Sequence, residues 1–573
     1  MNRLVAQKFE EIFDTHDHDK NPYNDLSIPI VPTFGNNDIL PHNIFDKGPN
    51  LWTNTYLDIW RKFIPEEQRH QFAQGGWFSV DVIPRRLVVF SLNSLYFFDN
   101  NAAVDGCSLK SEPGYRQLNW LRIQLQFARE RGMKAMIIGH VPPARTYGKS
   151  SWDETCWQKY TLWQRQYRDV IVGSFYGHMN YDHFMLQDFH EIDPSLDEGY
   201  GIEEPLTNAA DDIEVASVTS YFSDLRKSWT RLPTKPRSMS TSDFDDSSDG
   251  LNALQEMSDD ARPTWEVDAL RKQKKDKNGR KGKKDKKSKK DRDKKKAKKY
   301  LEAIGGEYAE MFSVSFVAPS VVPNYFPTIR IYEYNVTGLE HTPFDAREDV
   351  VAEKEDPDEY KMEKKKKDKS RKKRRFTVPK PPSKWAPPGP AYSPQPLTLL
   401  GYTQYYANLT TINNDFPPDS VFESDSNQDL DAQKWNEGKH GKHNGKKPKS
   451  DAKPSPNKFE YQVLYNTTND EIYKLKDMTV RSYLELAKRI GKKVKKSKKH
   501  SLAEEVVSLD DETSDEVDQD SSEDVEAAKK GKKDKKKKKH HKGHKVNKVW
   551  LTFLKRAFSG AVNTEQLRQQ FEL

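Results

Sequence analysis

What this chain can fold into is limited first by its charge runs. Glu203–Asp260 is acidic and Ser-rich, and Lys272–Lys299 is almost entirely Lys, Asp and Gly. Lys361–Arg375 and Lys492–His500 are basic, Trp435–Lys453 is rich in Lys, His and Gly, and acidic Glu504–Glu526 is followed by basic Lys529–Lys548. Such segments cannot bury enough apolar surface to offset the entropy of ordering the backbone, so they are predicted to be disordered loops and linkers. Apolar and aromatic residues gather instead in roughly 22–200, 300–340, 384–415 and 457–492. With 32% charged and only 34% hydrophobic residues in 573, the chain has material for a core assembled from separated blocks, not for several full domains.

The net charge of +8 is the small difference of strongly segregated blocks. Two readings of the Lys runs stand side by side: solvated spacers, or stretches that bind a polyanion. Few aromatic residues interrupt them, which argues against sequence-specific readout of RNA or DNA. No run of 18 or more apolar residues and no signal peptide is present.

Chemistry concentrates in three turns, each directly after an apolar run. Gly35-Asn36-Asn37-Asp38 follows Ile28–Phe34, Gly139-His140 follows Ala135–Ile138, and Gly177-His178-Met179-Asn180 follows Val170–Tyr176. Each run reads as a buried strand, so each motif is expected where a strand gives way to a polar loop. Open α/β sheets bind their ligands at the carboxyl ends of strands. An amide and two imidazoles delivered there suit a divalent metal acting on phosphate, and no Cys-x-x-Cys pair competes as a ligand set. Taken singly, each Asn or His is an ordinary turn or structural residue; the three together carry the signal.

The surrounding pattern is layered α/β. Leu87–Leu92 reads as a strand, Gly114–Arg131 as an amphipathic helix with Leu118, Leu121, Leu125 and Ala128 on one face, and Gly132 as its C′ residue. A second helix is expected around Trp157–Tyr167. The strand–helix–strand–helix–strand order is that of an α/β layered domain.

The blocks Ile30-Val-Pro-Thr-Phe-Gly-Asn-Asn-Asp38, Ile137-Ile-Gly-His-Val-Pro-Pro143 and Gly177-His-Met-Asn-Tyr-Asp-His-Phe184 resemble the later motifs of the calcineurin-like metallophosphoesterases. Within that superfamily they are most similar to the fungal vacuolar endopolyphosphatases, which are similar in turn to acid sphingomyelinases. Ser313–Tyr334 and Leu397–Asn408 fit the same group, so the resemblance covers about half the chain, in blocks separated by low-complexity inserts. It implies a sandwich of two sheets flanked by helices, two divalent metals (Mn, Zn, Mg, Fe or Co), and endo-cleavage of inorganic polyphosphate in the vacuole lumen or at its membrane. Asn36, His140 and His178 are the ligands it implies, with Asn180 a weaker candidate ligand in place of His. Asn37 and His42 are candidates for the reacting phosphate, and Arg145 and His183 for holding the anion.

Departures from the family are informative. Many relatives carry His where Asn37 and Asn180 stand. An amide is no general acid, but a phosphate leaving from an anhydride needs little protonation, so Asn37 favours anhydride over ester cleavage. The family's opening Asp-x-His and Gly-Asp blocks are not seen; Asp14-Thr15-His16 has the spelling but follows no apolar strand. The chain begins at Met1 inside the helix leading to the third block, so an N-terminal truncation is expected, with part of the metal site and any membrane anchor lost. A non-catalytic polyanion-binding protein on a degraded phosphoesterase fold and a sphingomyelinase-like phosphodiesterase are the alternatives.

The expected organisation is therefore a partial catalytic domain over 1–200, a disordered insert over 203–299, completing strands over 300–345, and a disordered insert over 346–383. Ordered segments at 384–415 and 457–492 alternate with disordered ones at 416–456 and 493–547, and a C-terminal helix occupies 548–573. Sequons at Asn335, Asn408 and Asn466 lean toward a lumenal glycoprotein. Cys107 and Cys156 form a disulfide or remain two buried thiols; their spacing does not decide.

Overall fold

A computed structural model of the chain describes residues 1–15, 26–146, 149–200, 217–233, 289–322, 325–339, 376–383, 385–413, 457–493, 506–507 and 546–573. His16, most of the acidic and Lys-rich runs and the loop 147–148 lie outside the described residues.

The main sheet has six strands: β1 (Phe78–Ile83), β2 (Leu87–Ser91), β3 (Lys134–Ile138), β4 (Ile171–Tyr176), β5 (His183–Asp188) and β6 (Phe312–Val317), in the spatial order β1-β2-β3-β4-β6-β5. Its centre, β2 to β3 to β4 to β6, is parallel, and antiparallel β1 and β5 close the two edges. A second, antiparallel sheet contains β7 (Thr328–Tyr334), β8 (Leu399–Tyr406) and β9 (Gln462–Asn466), with β8 central.

The main helices are α1 (Asn2–Phe13), α2 (Leu51–Ile59), α3 (Pro113–Glu130), α4 (Glu154–Gln166), α5 (Val218–Trp229), α6 (Lys289–Ile304), α7 (Val480–Gly491) and α8 (Lys548–Ala557). Side chains alternate across a strand, and β4 shows what each face of the main sheet meets. The Ser174 hydroxyl accepts a hydrogen bond from Tyr160 of α4 at 3.1 Å, whereas Phe175 packs on Phe316 of β6 and Tyr332 of β7 with ring centroids 5.7 and 4.8 Å apart. Helices thus cover one face and the small sheet covers the other, the two-sheet sandwich expected from the resemblance. Helix α3 opens on Pro113, buries Leu118, Leu121, Leu125 and Ala128, and is followed by Gly132 at φ 66°. A left-handed residue there lets the chain turn straight into β3.

Four expectations change. Ile28–Phe34 is not a strand. Pro29 and Pro32 remove two ladder donors, and the segment is held across β2 by side chains instead, with Ser91 Oγ donating to Pro32 O at 2.6 Å and Thr33 Oγ1 to Leu92 O at 2.8 Å. The insert 203–299 contains α5, which buries Tyr221, Phe222, Leu225 and Trp229, and α6, which buries Ala297, Tyr300 and Ile304. In both, a few apolar residues at helical spacing outweigh the polar run around them. Phe376, at the end of the insert 346–383, is buried against Trp163, their rings 5.9 Å apart. Finally, 548–573 holds two helices, α8 and Thr564–Phe571, because Ser559 and Gly560 adopt left-handed φ of 53° and 76° and end the first.

Cys107 and Cys156 are joined in a disulfide that closes a loop of sequence separation 49. On the loop-entropy account it contributes about 4 kcal/mol. It ties the segment entering α3 to the first turn of α4. No helix among the described residues is long and apolar enough to cross a membrane.

Candidate metal centre

Parallel pairing of β3 with β4 brings two motifs together. The register Ile138↔Phe175 runs on past both strand ends, through Gly139 N to Phe175 O at 3.1 Å and Gly177 N to His140 O at 3.0 Å. His140 and His178 therefore leave the same edge of the sheet, with rings 5.1 Å apart. The first motif is carried over that edge by Phe34, which is fully buried among Phe45, Tyr56, Trp60 and Phe72. Gly35 follows, and a Cβ there would lie 3.2 Å from Asp38 Oδ2 and 3.3 Å from the His140 ring, so a side chain would crowd both.

The result is a convergence of three potential ligand atoms, in which His140 Nε2–H now donates to Asn36 Oδ1 and would give up that proton to a metal. His140 Nε2 lies 2.8 Å from Asn36 Oδ1, and His178 Nδ1 lies 3.3 Å from both. Three corners of a tetrahedral site with metal–nitrogen bonds of about 2.1 Å are separated by roughly 3.4 Å. The two separations to His178 match that, and the 2.8 Å hydrogen-bonded contact between Asn36 and His140 would open by about half an ångström for the set to hold a divalent ion. Burial, and secondarily the neighbouring His178, pulls the His140 imidazole down to about 3, which keeps it neutral and able to ligate.

Each donor is held. Ser94 Oγ accepts from both His140 N and Val141 N, at 2.9 and 2.8 Å. Phe98 stands edge-on to His178 at 5.2 Å. His178 and Asn180 both sit at left-handed φ, 65° and 61°; Asn adopts this conformation readily, but His178 keeps it only where its neighbours hold it there. Asp182 provides that restraint: it pairs with Arg330 of β7 at 2.5 Å, accepts from Tyr465 of β9, and gives its backbone N–H to Ala557 O of α8 at 3.0 Å. The small sheet and the C-terminal helix thus anchor the loop that carries His178.

The remaining candidates are dispersed. Asn37 and His42 are exposed on the turns beside Asn36. Asn180 is half-buried, and no hydrogen bond joins it to the trio. Arg145 does not present a free guanidinium to an anion: it forms a two-oxygen contact with Glu154 at 2.9 Å, lies 3.5 Å from Glu191 and stacks 4.2 Å above Trp157. His183 is no substrate contact either. It is buried in β5, with Nδ1 at 2.9 Å from Tyr181 O and Nε2 at 3.0 Å from Tyr221 Oη. Asp14, at the end of α1, bridges to Leu26 and takes no part in the trio. Asn335, Asn408 and Asn466 all flank strands of the small sheet, where Asn335 and Asn466 accept from Thr337 N and Thr468 N at 2.9 and 2.7 Å. No group of three or more His, Cys, Asp or Glu side chains among the described residues is placed to hold a metal; the set found is two imidazoles and an amide.

Burial of His183 carries a pH consequence. Desolvation lowers its pKa from 6.5 to about 4. The unfolded state then takes up a proton first as pH falls, so the contribution is complete above about 6.5 and lost on the way down to about 4. The expected loss is about 3 kcal/mol. Urea midpoints at pH 7 and pH 4.5 should fall steeply in the wild type and less in His183→Gln; equal slopes would refute the assignment.

Ser94 and the Asp182–Arg330 pair were not picked out by sequence reasoning. Each looks like a common turn or strand residue, and its role depends on a partner distant in the chain.

Comparison with known proteins agrees with the motif blocks. An endopolyphosphatase of Neurospora crassa is 44% identical over 539 residues, covering 87% of this chain and 66% of its own. One of Saccharomyces cerevisiae is 32% identical over 520 residues, covering 86% and 68%, and one of Yarrowia lipolytica is 28% identical over 630 residues, covering 86% and 71%. The chain thus spans about two thirds of the length of the curated relatives it matches. No family model matches it.

Proposed function

The chain belongs to the fungal endopolyphosphatases, and on that premise we propose that it is a divalent-metal-dependent hydrolase cutting internal phosphoanhydride bonds of inorganic polyphosphate to shorter chains. The observation that carries the reading is the convergence of Asn36 Oδ1, His140 Nε2 and His178 Nδ1 at one edge of the sheet, within 3.3 Å of one another. These three residues would hold one ion of an expected pair. When bound, the metal supplies neutralisation of phosphoryl charge and a water of lowered pKa.

The protein's own groups set the rest. Asn37, exposed beside Asn36, offers an amide that donates a hydrogen bond to a phosphate oxygen but transfers no proton. That suits an anhydride, whose leaving phosphate is a weak base, better than an ester. His42, also exposed and close in sequence, is the second candidate donor. Asn180 is the remaining candidate for a weak ligand beside His178. A lumenal, oxidising compartment, the vacuole, is supported by the Cys107–Cys156 bond and the three sequons.

Incubating metal-loaded protein with long-chain polyphosphate tests the reading by gel. Early products of intermediate length are expected, and none after chelation. Release of orthophosphate alone, or cleavage indifferent to chelator, would overturn it.

The stretches 272–288 and 529–545 of the Lys runs, which lie outside the described residues, are assigned to holding substrate. Lysines that neutralise phosphates release counterions, with a salt slope of roughly −0.7 per contact on single strands. Deleting 272–288 and 529–545 should weaken binding of long polyphosphate and flatten its salt dependence, with the rate on short chains unchanged at saturation. Unchanged affinity and slope would make the runs spacers.

A further inference from the structure

We propose that Asn43 is a positioning residue that sets which end of the Asn36 amide faces the two imidazoles; this rests on the metal-dependent reading above. The two ends of an asparagine amide are nearly the same shape and opposite in chemistry: Oδ1 offers lone pairs, Nδ2 offers hydrogens. With Oδ1 toward His140 and His178 the trio presents three donors to a cation. With Nδ2 there instead, it presents two donors and a repulsive N–H.

Nothing in Asn36 itself decides between these orientations; the His140 Nε2–H now bonded to Oδ1 is lost when Nε2 ligates, so in the metal-bound site the choice among protein groups falls to what the far end of the amide meets. That partner is Asn43, whose Oδ1 accepts from Asn36 Nδ2 at 2.9 Å. In this orientation Asn36 Oδ1 faces His140 Nε2 at 2.8 Å, and reversing the amide would set two NH₂ or two carbonyl ends against each other unless Asn43 also turned.

Asn43 is itself held in place. It sits at a left-handed φ of 69°, a conformation that Asn, Asp and Gly adopt most readily. Two residues on, Phe45 is fully buried between Phe34 and Tyr96, with ring centroids at 4.9 and 5.3 Å, and its backbone N–H donates to Asn101 Oδ1 at 3.1 Å. The acceptor is therefore part of a fixed frame, and the same Phe34 cluster that carries Asn36 also carries the residue that orients it.

The left-handed backbone supplies a clean pair of variants. Asn43→Gly keeps the conformation and removes the acceptor; Asn43→Asp keeps both. Mn²⁺ affinity of chelator-treated protein is measured by equilibrium dialysis, with kcat and KM on polyphosphate in parallel and a urea midpoint as a check on folding. Asn43→Gly should bind Mn²⁺ about 10- to 100-fold more weakly, the range seen when a residue supporting a ligand is lost, with kcat falling more than KM changes. Asn43→Asp should stay within about threefold of wild type or bind more tightly. Wild-type affinity in Asn43→Gly, or equal loss in both variants, overturns the role of Asn43. His140→Ala, measured alongside, separates the two levels. If it loses Mn²⁺ while Asn43→Gly does not, only the positioning role fails; if it binds as wild type does, the metal site itself is misplaced and both readings fall.

Discussion

His140→Ala and His178→Ala are each expected to abolish cleavage of long-chain polyphosphate while leaving the protein folded. Both imidazoles point at the same small volume as Asn36 Oδ1, and removing either leaves two donors where three converge. Loss of metal-borne charge neutralisation amounts to several kcal/mol of transition-state stabilisation; about 4 kcal/mol is roughly a thousandfold in kcat. Asn36→Ala should fall severely but less far, since a neutral amide is the weakest of the three donors. Stability should change little, because neither His140 nor His178 is among the side chains of the hydrophobic core. Gel assays of product length with denaturation midpoints on the same samples decide the matter. Retention of a tenth or more of wild-type kcat in either histidine variant would contradict the assignment.

Asp182→Ala should be the most destabilising of the polar substitutions. Its carboxylate and the Arg330 guanidinium are both 4% exposed and 2.5 Å apart, with Gln404 and the face of Tyr402 completing the surroundings of the arginine. Removing one partner strands the other charge out of water, which costs about 3–5 kcal/mol. Replacing both by apolar residues of similar volume avoids that penalty, so Asp182→Leu/Arg330→Met should recover most of the loss. The double variant should nevertheless remain impaired in catalysis, because the anchor of the His178–Asn180 loop is gone. Urea denaturation of the two single variants and the double variant tests this. A single-variant loss below about 1 kcal/mol, or a double variant no more stable than either single, would rule out a buried, mutually dependent pair.

Local features made the trio legible. In β3 and β4 a short apolar run is broken by glycine and then a polar side chain, and parallel neighbours necessarily bring such ends to one edge. The helix α3 was legible for the same reason, its leucines falling at helical spacing between Pro113 and Gly132. Ile28–Phe34 misled because its apolar content suggests a strand while Pro29 and Pro32 forbid the ladder. Helix α5 was hidden because four buried aromatic and aliphatic residues stand inside an acidic stretch. Arg145 and His183 were misjudged because the residues that satisfy them, Glu154 and Glu191 for one and Tyr221 for the other, are set by tertiary contacts that no spacing encodes. Asn43 belongs to the same class: its sequence context says turn, and only the fold puts its carbonyl against Asn36.

The central claim is that Asn36, His140 and His178 form a divalent-metal site, and the spin-echo modulation of Mn²⁺ added to chelator-treated protein reports on it directly. Coordinated imidazole nitrogen modulates the electron spin echo. The predicted result is nitrogen modulation from two histidines in the wild type, and from no more than one in His140→Ala or His178→Ala. Mn²⁺ that supports polyphosphate cleavage yet shows no nitrogen modulation, or modulation unchanged in both variants, would contradict it.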